Sequence, residues 1–197
     1  CIIGGEPLAS PYFFKVLEQL RNIHDRNSRR IHKQQFLSIT SNFNARAEIF
    51  SRYLGQLDLI NKFFNLSLNA SCEAIEEKAE FIRDGLNWTR FSENVNSLLQ
   101  YIKKTKAAGH PARIDFSLHA AQNTFSITCV PEFLSWALEL EQKNEVAVNL
   151  IQNIVSYPAH FSAQSVLSKD FSRYCHEVIK IIYRHKNKYT YVSNATW

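Results

Sequence analysis

The chain has 197 residues, 45% of them hydrophobic and 21% charged, with five glycines, five prolines and a net charge of +5. That is enough chain to bury a real core in one domain or two tightly packed layers, and the composition excludes a disordered or low-complexity protein. No apolar run approaches the roughly 20 residues that cross a bilayer, and Cys1-Ile2-Ile3-Gly4-Gly5 has no basic region leading into an apolar one, so neither a transmembrane helix nor an intact signal peptide is expected.

A start at Cys and the lack of Met read as a processed or edited chain. Cys1, Cys72, Cys129 and Cys175 lie too far apart to gather around zinc, and we expect buried free thiols in a reducing, cytoplasmic compartment. N-x-S/T sequons at Asn65, Asn69, Asn87 and Asn194 keep a secreted protein with two disulfides as the alternative.

Ser10-Pro11 has the form of a helix cap followed by proline at the first helical position. Phe13, Leu17, Leu20 and His24 then recur at helical spacing, and Ile31, Phe36, Leu37 and Ile39 resume after a polar stretch, so one long helix up to Ser41-Asn42 is expected. From Asn44, the series Ile49, Tyr53, Leu57, Ile60 and Phe64 forms one face of a second long helix, antiparallel to the first. Further helices are expected through Ile75, Ala79, Ile82 and Leu86, and through Val95, Leu98, Leu99 and Ile102.

Ile114, Phe116 and Leu118, then Phe125, Ile127 and Cys129, alternate with polar residues on either side of Ala120 to Asn123, which predicts a β-hairpin. Pro131-Glu132 opens another helix, expected to continue through Val146, Leu150 and Ile154 to Pro158. The last third reads as a helix to about His176 and then a strand pair turning at His185 to Lys188.

The fold class expected is therefore mainly α with a minor β part (α+β), a long antiparallel helical hairpin followed by helices around a β-hairpin. Residues 1–69 would form the hairpin and 70–197 an α+β part packed on it, with one continuous domain as the alternative. Basic clusters at Arg21, Arg26, Arg29, Arg30 and Lys33 and at Lys180, Arg184, Lys186 and Lys188 read first as solvated surface, and second as contacts for acidic partners or nucleic acid.

Three segments add to this order of elements. Ile23-His24-Asp25-Arg26-Asn27 is similar to the phosphoacceptor box of sensor histidine kinases, Val148 to Tyr157 is similar to their N-box, and Tyr191-Val192-Ser193-Asn194 lies where such a protein carries its next strand. The chain lacks the glycine-rich boxes that bend around ATP phosphates, since nothing after Gly109 is glycine, and it lacks the usual Leu and Pro after the box histidine. The whole resembles a degenerate histidine-kinase-like histidine phosphotransferase more than a kinase.

That resemblance implies phosphoryl transfer without ATP-dependent kinase activity and without a cofactor. His24 would be the nucleophile, Asp25 would orient its ring, and Arg26, Arg29 or Arg30 would offset phosphoryl charge. His32 is the competing acceptor. Asn149 and Asn153 would be relics of a nucleotide site, the partner would be a response-regulator receiver domain, and the hairpin would offer a homodimer seam. His24 shares its spacing with core residues, so a structural histidine stands beside the catalytic one.

Two other classes remain open on the residues alone. One is a helical adaptor or effector protein that acts through protein–protein contacts. The other is a helical ribonuclease using Arg26 and His32, whose spacing has the required form.

Overall fold

The computed structural model describes residues 1–2, 6–27, 35–109, 113–166 and 168–185. Helices and strands alternate along it: α1 Phe13–Asn27, β1 Gln35–Ser41, α2 Ala47–Ile60, β2 Phe64–Ser71, α3 Glu76–Ile82, α4 Trp88–Ala107, β3 Ile114–Gln122, α5 Val130–Asn144, β4 Val148–Ile154 and α6 Ser168–His185.

The strands form one sheet in the order β1-β2-β3-β4, and every neighbouring pair is parallel. Ile2 extends it beside β1, again in parallel, through Ile2 N to Ser38 O at 2.8 Å and Thr40 N to Ile2 O at 3.2 Å. Parallel neighbours need a crossover, and crossovers are right-handed almost without exception. Because the sheet steps in one direction, α2, α4 and α5 fall on the same face.

The core confirms that placement. Leu37 and Ile39, Leu66, Leu68 and Ala70, and Phe116, Leu118 and Ala120 from the sheet share one buried cluster with Phe50, Tyr53 and Leu57 of α2, Phe91, Val95 and Leu98 of α4, and Phe133 and Ala137 of α5. α1 adds Phe13 and Leu17, with the Phe13 ring 6.0 Å from that of Tyr53.

Local signals set the helix limits. The Asn87 side chain caps α4 by accepting from Arg90 N at 2.8 Å, and Lys104 and Lys106 sit in its last turn against the negative end of the dipole. Gly109 follows at φ 70°, a left-handed conformation that glycine adopts without a side-chain clash. α5 has Pro131 in its first turn and stops where Glu145 turns left-handed at φ 56°.

This α/β architecture replaces the expected α+β helical hairpin. The first helix is described as far as Asn27, and Gln35–Ser41 is a strand rather than its continuation, because Leu37, Ile39 and Ser41 bury with period two. Residues 44–64 do hold a helix, but it runs alongside the sheet and leads into β2, so position 69/70 lies inside a strand. The β-hairpin is absent: β3 is present, yet its partners are β2 and β4, and Ile127–Cys129 is a short 3-10 turn leading into α5. The N-box helix is β4. α6 continues to His185, through the first strand of the expected terminal pair, and the second strand lies outside the described residues.

No described helix is long and apolar enough to cross a membrane. Cys1, Cys72, Cys129 and Cys175 are all free thiols.

Candidate functional site

Strand alternation separates the sheet into two unlike faces. The helix-side face carries mainly Leu, Ile, Phe and Ala, with Ser41, Gln122 and Gln152 at its C-terminal end. The opposite face carries Phe36, Ser38 and Thr40 from β1, Asn65, Ser67, Asn69 and Ser71 from β2, Asp115, Ser117, His119 and Ala121 from β3, and Asn149, Ile151 and Asn153 from β4, and is mainly polar.

Parallel register aligns these residues into rows. Ser38, Ser67 and Asp115 form one; Thr40, Asn69, Ser117 and Asn149 the next; Ser71, His119 and Ile151 a third; and Ala121 with Asn153 the last, at the C-terminal ends of the strands. Parallel sheets are ordinarily covered on both faces by apolar packing. Here the second face is polar, and the described helices contribute their buried residues to the other side.

A polar group taken from water needs a partner. Asn69 is buried and finds several: its Nδ2 donates to Ser38 Oγ at 3.0 Å, Thr40 Oγ1 at 3.3 Å and Ile39 O at 3.5 Å, while its Oδ1 accepts from Ser67 Oγ at 3.4 Å. Asn149 Nδ2 donates to Phe116 O at 3.2 Å. His119 differs, because its Nε2 is buried with no hydrogen-bond partner, and burial pulls the pKa of the ring below the ordinary histidine value.

The C-terminal rim of the sheet holds two carboxylates. Glu6 accepts from Ser41 Oγ at 2.5 Å and Leu8 N at 3.1 Å on one oxygen, and from Asn42 N at 2.7 Å on the other. Glu73, just past β2, is buried and gripped by Arg83 through Nε and Nη2, both at 2.5 Å, and it reaches Ala121 N at 3.5 Å. That hydrogen bond to Glu73 raises the Arg83 pKa further.

Asn42, Asn44, Arg83, Asp84, Gly85 and Leu86 line a cavity of about 300 Å³. Asn44 braces its wall by donating to Gly85 O at 2.6 Å and accepting from Asn87 N at 3.1 Å. Loops past the C-terminal ends of parallel strands commonly carry ligand sites in α/β folds, although the described strands step in one direction and hold no reversal of strand order.

The residues singled out from sequence are scattered relative to this site. His24, Asp25 and Arg26 lie in the last turns of α1, and His32 lies outside the described residues. Asn149 and Asn153 are brought to the polar face, by β4 rather than by a helix. Glu6, Asn69, Glu73, Arg83 and His119 were missed. Glu6 had a visible signal, standing between the glycine pair Gly4-Gly5 and Pro7; the alternation of Ser and Asn with Leu in Ser67-Leu68-Asn69 was another. Among the described residues no group of three or more His, Cys, Asp or Glu side chains is placed to hold a metal ion.

No family model matches the chain, and no curated protein matches it. Among solved structures it is similar to Streptococcus suis SuiB bound to S-adenosylmethionine, at 13% identity and a TM-score of 0.50 over 93% of this chain and 36% of that one. The chain thus spans about a third of the length of the protein it matches. At this identity the likeness shows a shared fold.

A parallel α/β fold overturns the histidine-kinase-like resemblance, and with it the histidine phosphotransfer function. The adaptor reading and the Arg26/His32 ribonuclease reading fall too, since both assumed a helical domain and the likeness is to an α/β fold.

Proposed function

We propose that this chain binds a small polar nucleoside, with S-adenosylmethionine the first candidate, at the polar face and C-terminal rim of β1–β4. The observation that carries the reading is the polar face itself, which a purely structural parallel sheet would cover with apolar residues. The similar solved structure is of a protein bound to S-adenosylmethionine, which supports this choice of ligand.

The residues present fit such a ligand. Its carboxylate suits the part of Arg83 that Glu73 leaves free, and its ribose and base suit Ser38, Thr40, Ser67 and Asn149. When bound, S-adenosylmethionine supplies a sulfonium whose attached carbons are electrophilic. The chain's own residues orient the ligand and keep its carboxylate paired. Four free thiols support a reducing, cytoplasmic setting.

Isothermal titration with S-adenosylmethionine, using S-adenosylhomocysteine for comparison, tests the reading. Binding by the wild type is expected, and Asn69→Leu is expected to weaken it about tenfold or more by removing the hub of the face. The absence of any saturable heat at millimolar ligand would overturn it.

A further inference from the structure

β4 is an outer strand of the sheet, and unlike β1, which Ile2 pairs, it has a neighbour on one side alone among the described residues. The ladder fixes which backbone groups it turns outward. Val155 N donates to Gln122 O of β3 at 2.8 Å, so Asn149, Ile151 and Asn153 also face β3, and Val148, Leu150, Gln152 and Ile154 point their N–H and C=O away from it. Val148 N finds the Glu141 carboxylate at 3.1 Å. Among the described residues nothing hydrogen-bonds the outward backbone groups of Leu150, Gln152 or Ile154.

An open strand edge is a template for another strand, and proteins guard such edges with Lys, Pro, a bulge or an inward charge. Val148–Ile154 has none of these, and Ile151 and Ile154 are exposed. In a chain of net charge +5, this edge lets two copies meet without bringing like charges together.

The strand is also close to its own complement. Turned about a two-fold axis at Ile151, it sets Val148 against Ile154, Asn149 against Asn153, Leu150 against Gln152, and Ile151 against Ile151 of the other copy. Apolar meets apolar and amide meets amide except at Leu150 with Gln152. The pairs 148/154 and 150/152 are those whose backbone groups point outward, as an antiparallel ladder needs, and a closed two-fold requires that antiparallel sense. We propose that β4 is an interface between two copies of this chain, which pair antiparallel about Ile151 and join their sheets into one.

The helix layer continues across the same edge. α6 packs on α5, where Ile181 and Arg184 line a crevice with Leu138 and Gln142. Ile179, set about 160° round the helix from Ile181 by the 3.6-residue turn, is exposed on the side away from α5. A two-fold axis normal to the sheet keeps both helix layers on one side, so this apolar residue is turned towards α6 of the other copy.

A strand pair with one flanking helix contact is small beside the roughly 1,200 Å² of a stable complex, so a dissociation constant of about 100 µM is expected. Sedimentation equilibrium of the full chain from about 1 µM to about 1 mM brackets that value. Ile151→Lys sets two ammonium groups against each other at the axis, and Ile154→Pro removes an outward N–H. Each should weaken association about tenfold or more, while the melting temperature of the dilute protein shows that the variant is folded. Hydrogen exchange at Leu150, Gln152 and Ile154 should slow as the wild type is concentrated.

A wild type that stays monomeric throughout overturns the proposal, and so does a dimer that folded Ile151→Lys leaves intact. Full protection of these three amides in the dilute monomer also overturns it, because the edge is then covered within a single chain.

Discussion

The Arg83 guanidinium closes on the Glu73 carboxylate with two hydrogen bonds of 2.5 Å, tying the end of α3 to the chain leaving β2. The Glu73 side chain is 6% exposed and that of Arg83 30%, so the carboxylate is the partner that depends on the pair. Removing one member of such a pair strands a buried charge. Arg83→Ala is expected to cost about 3 kcal/mol in urea denaturation. The double variant Glu73→Leu/Arg83→Leu is expected to cost clearly less, because no charge is left unpaired. A single-variant loss below about 0.5 kcal/mol would show the pair to be solvated.

Tyr53 lies at the centre of the α-helical side of the core, with Phe13, Phe43 and Phe50 rings within 6.2 Å of its own. Its hydroxyl is buried without a hydrogen bond, and burial drives its ionisation far above the ordinary phenol range. Tyr53→Phe keeps the ring and deletes an unpaired polar atom, so it is expected to be neutral or stabilising by about 1 kcal/mol. Tyr53→Ala should cost about 3–5 kcal/mol through the cavity it leaves. Calorimetry on both variants checks the contrast.

Cys72 sits directly after β2, where its thiol donates to Ala74 O at 3.0 Å and burial pushes its pKa up to about 12 from 9.0. The folded-state value is raised, so the stabilisation is fully present below the unfolded pKa and is lost as pH rises. Between pH 9.0 and about 12, unfolding releases a proton that the folded thiol retains, and stability should decline by about 1.4 kcal/mol per pH unit from this group. Tyr53 steepens the alkaline limb in the same direction. Denaturation curves from pH 8 to 11 should therefore flatten in Cys72→Ala. At pH 8 a thiol reagent should modify exposed Cys1 well before Cys72.

Asn94 of α4 holds the loop that follows β1. Its Nδ2 donates to Phe43 O and Ala45 O, both at 2.8 Å, and Phe43 stands at φ 51°, a left-handed conformation that a bulky side chain rarely adopts. Asn94→Leu removes both bonds and leaves two carbonyls short of a donor. We expect a loss of about 2–3 kcal/mol, together with faster hydrogen exchange in residues 42–46 than elsewhere in the sheet. Because Asn42 and Asn44 sit on that loop, affinity for S-adenosylmethionine should fall as well.

Local features were legible in the sequence where one residue decides one turn. Pro131 at the start of α5 acts through its own backbone and its nearest neighbours, and so do the helical faces of Tyr53, Leu57 and Ile60 and of Val95, Leu98 and Leu99. The strand at Ile114 to Leu118 was legible for the same reason, since its alternation is strict.

What the sequence by itself determined, then, was the existence of the longer helices, the segment of β3 and a core rich in aromatic side chains. Tertiary structure decided the rest. Gln35–Ser41 and Val148–Ile154 are short, and a few apolar residues next to a helix suit a continuing helix as well as a new strand until a parallel neighbour supplies the hydrogen bonds. The polar face depended wholly on that pairing. Thr40, Asn69, Ser117 and Asn149 lie up to 109 positions apart (149 − 40) and become one row only through register, because a ladder between distant strands is set by hydrogen bonds that no local window contains.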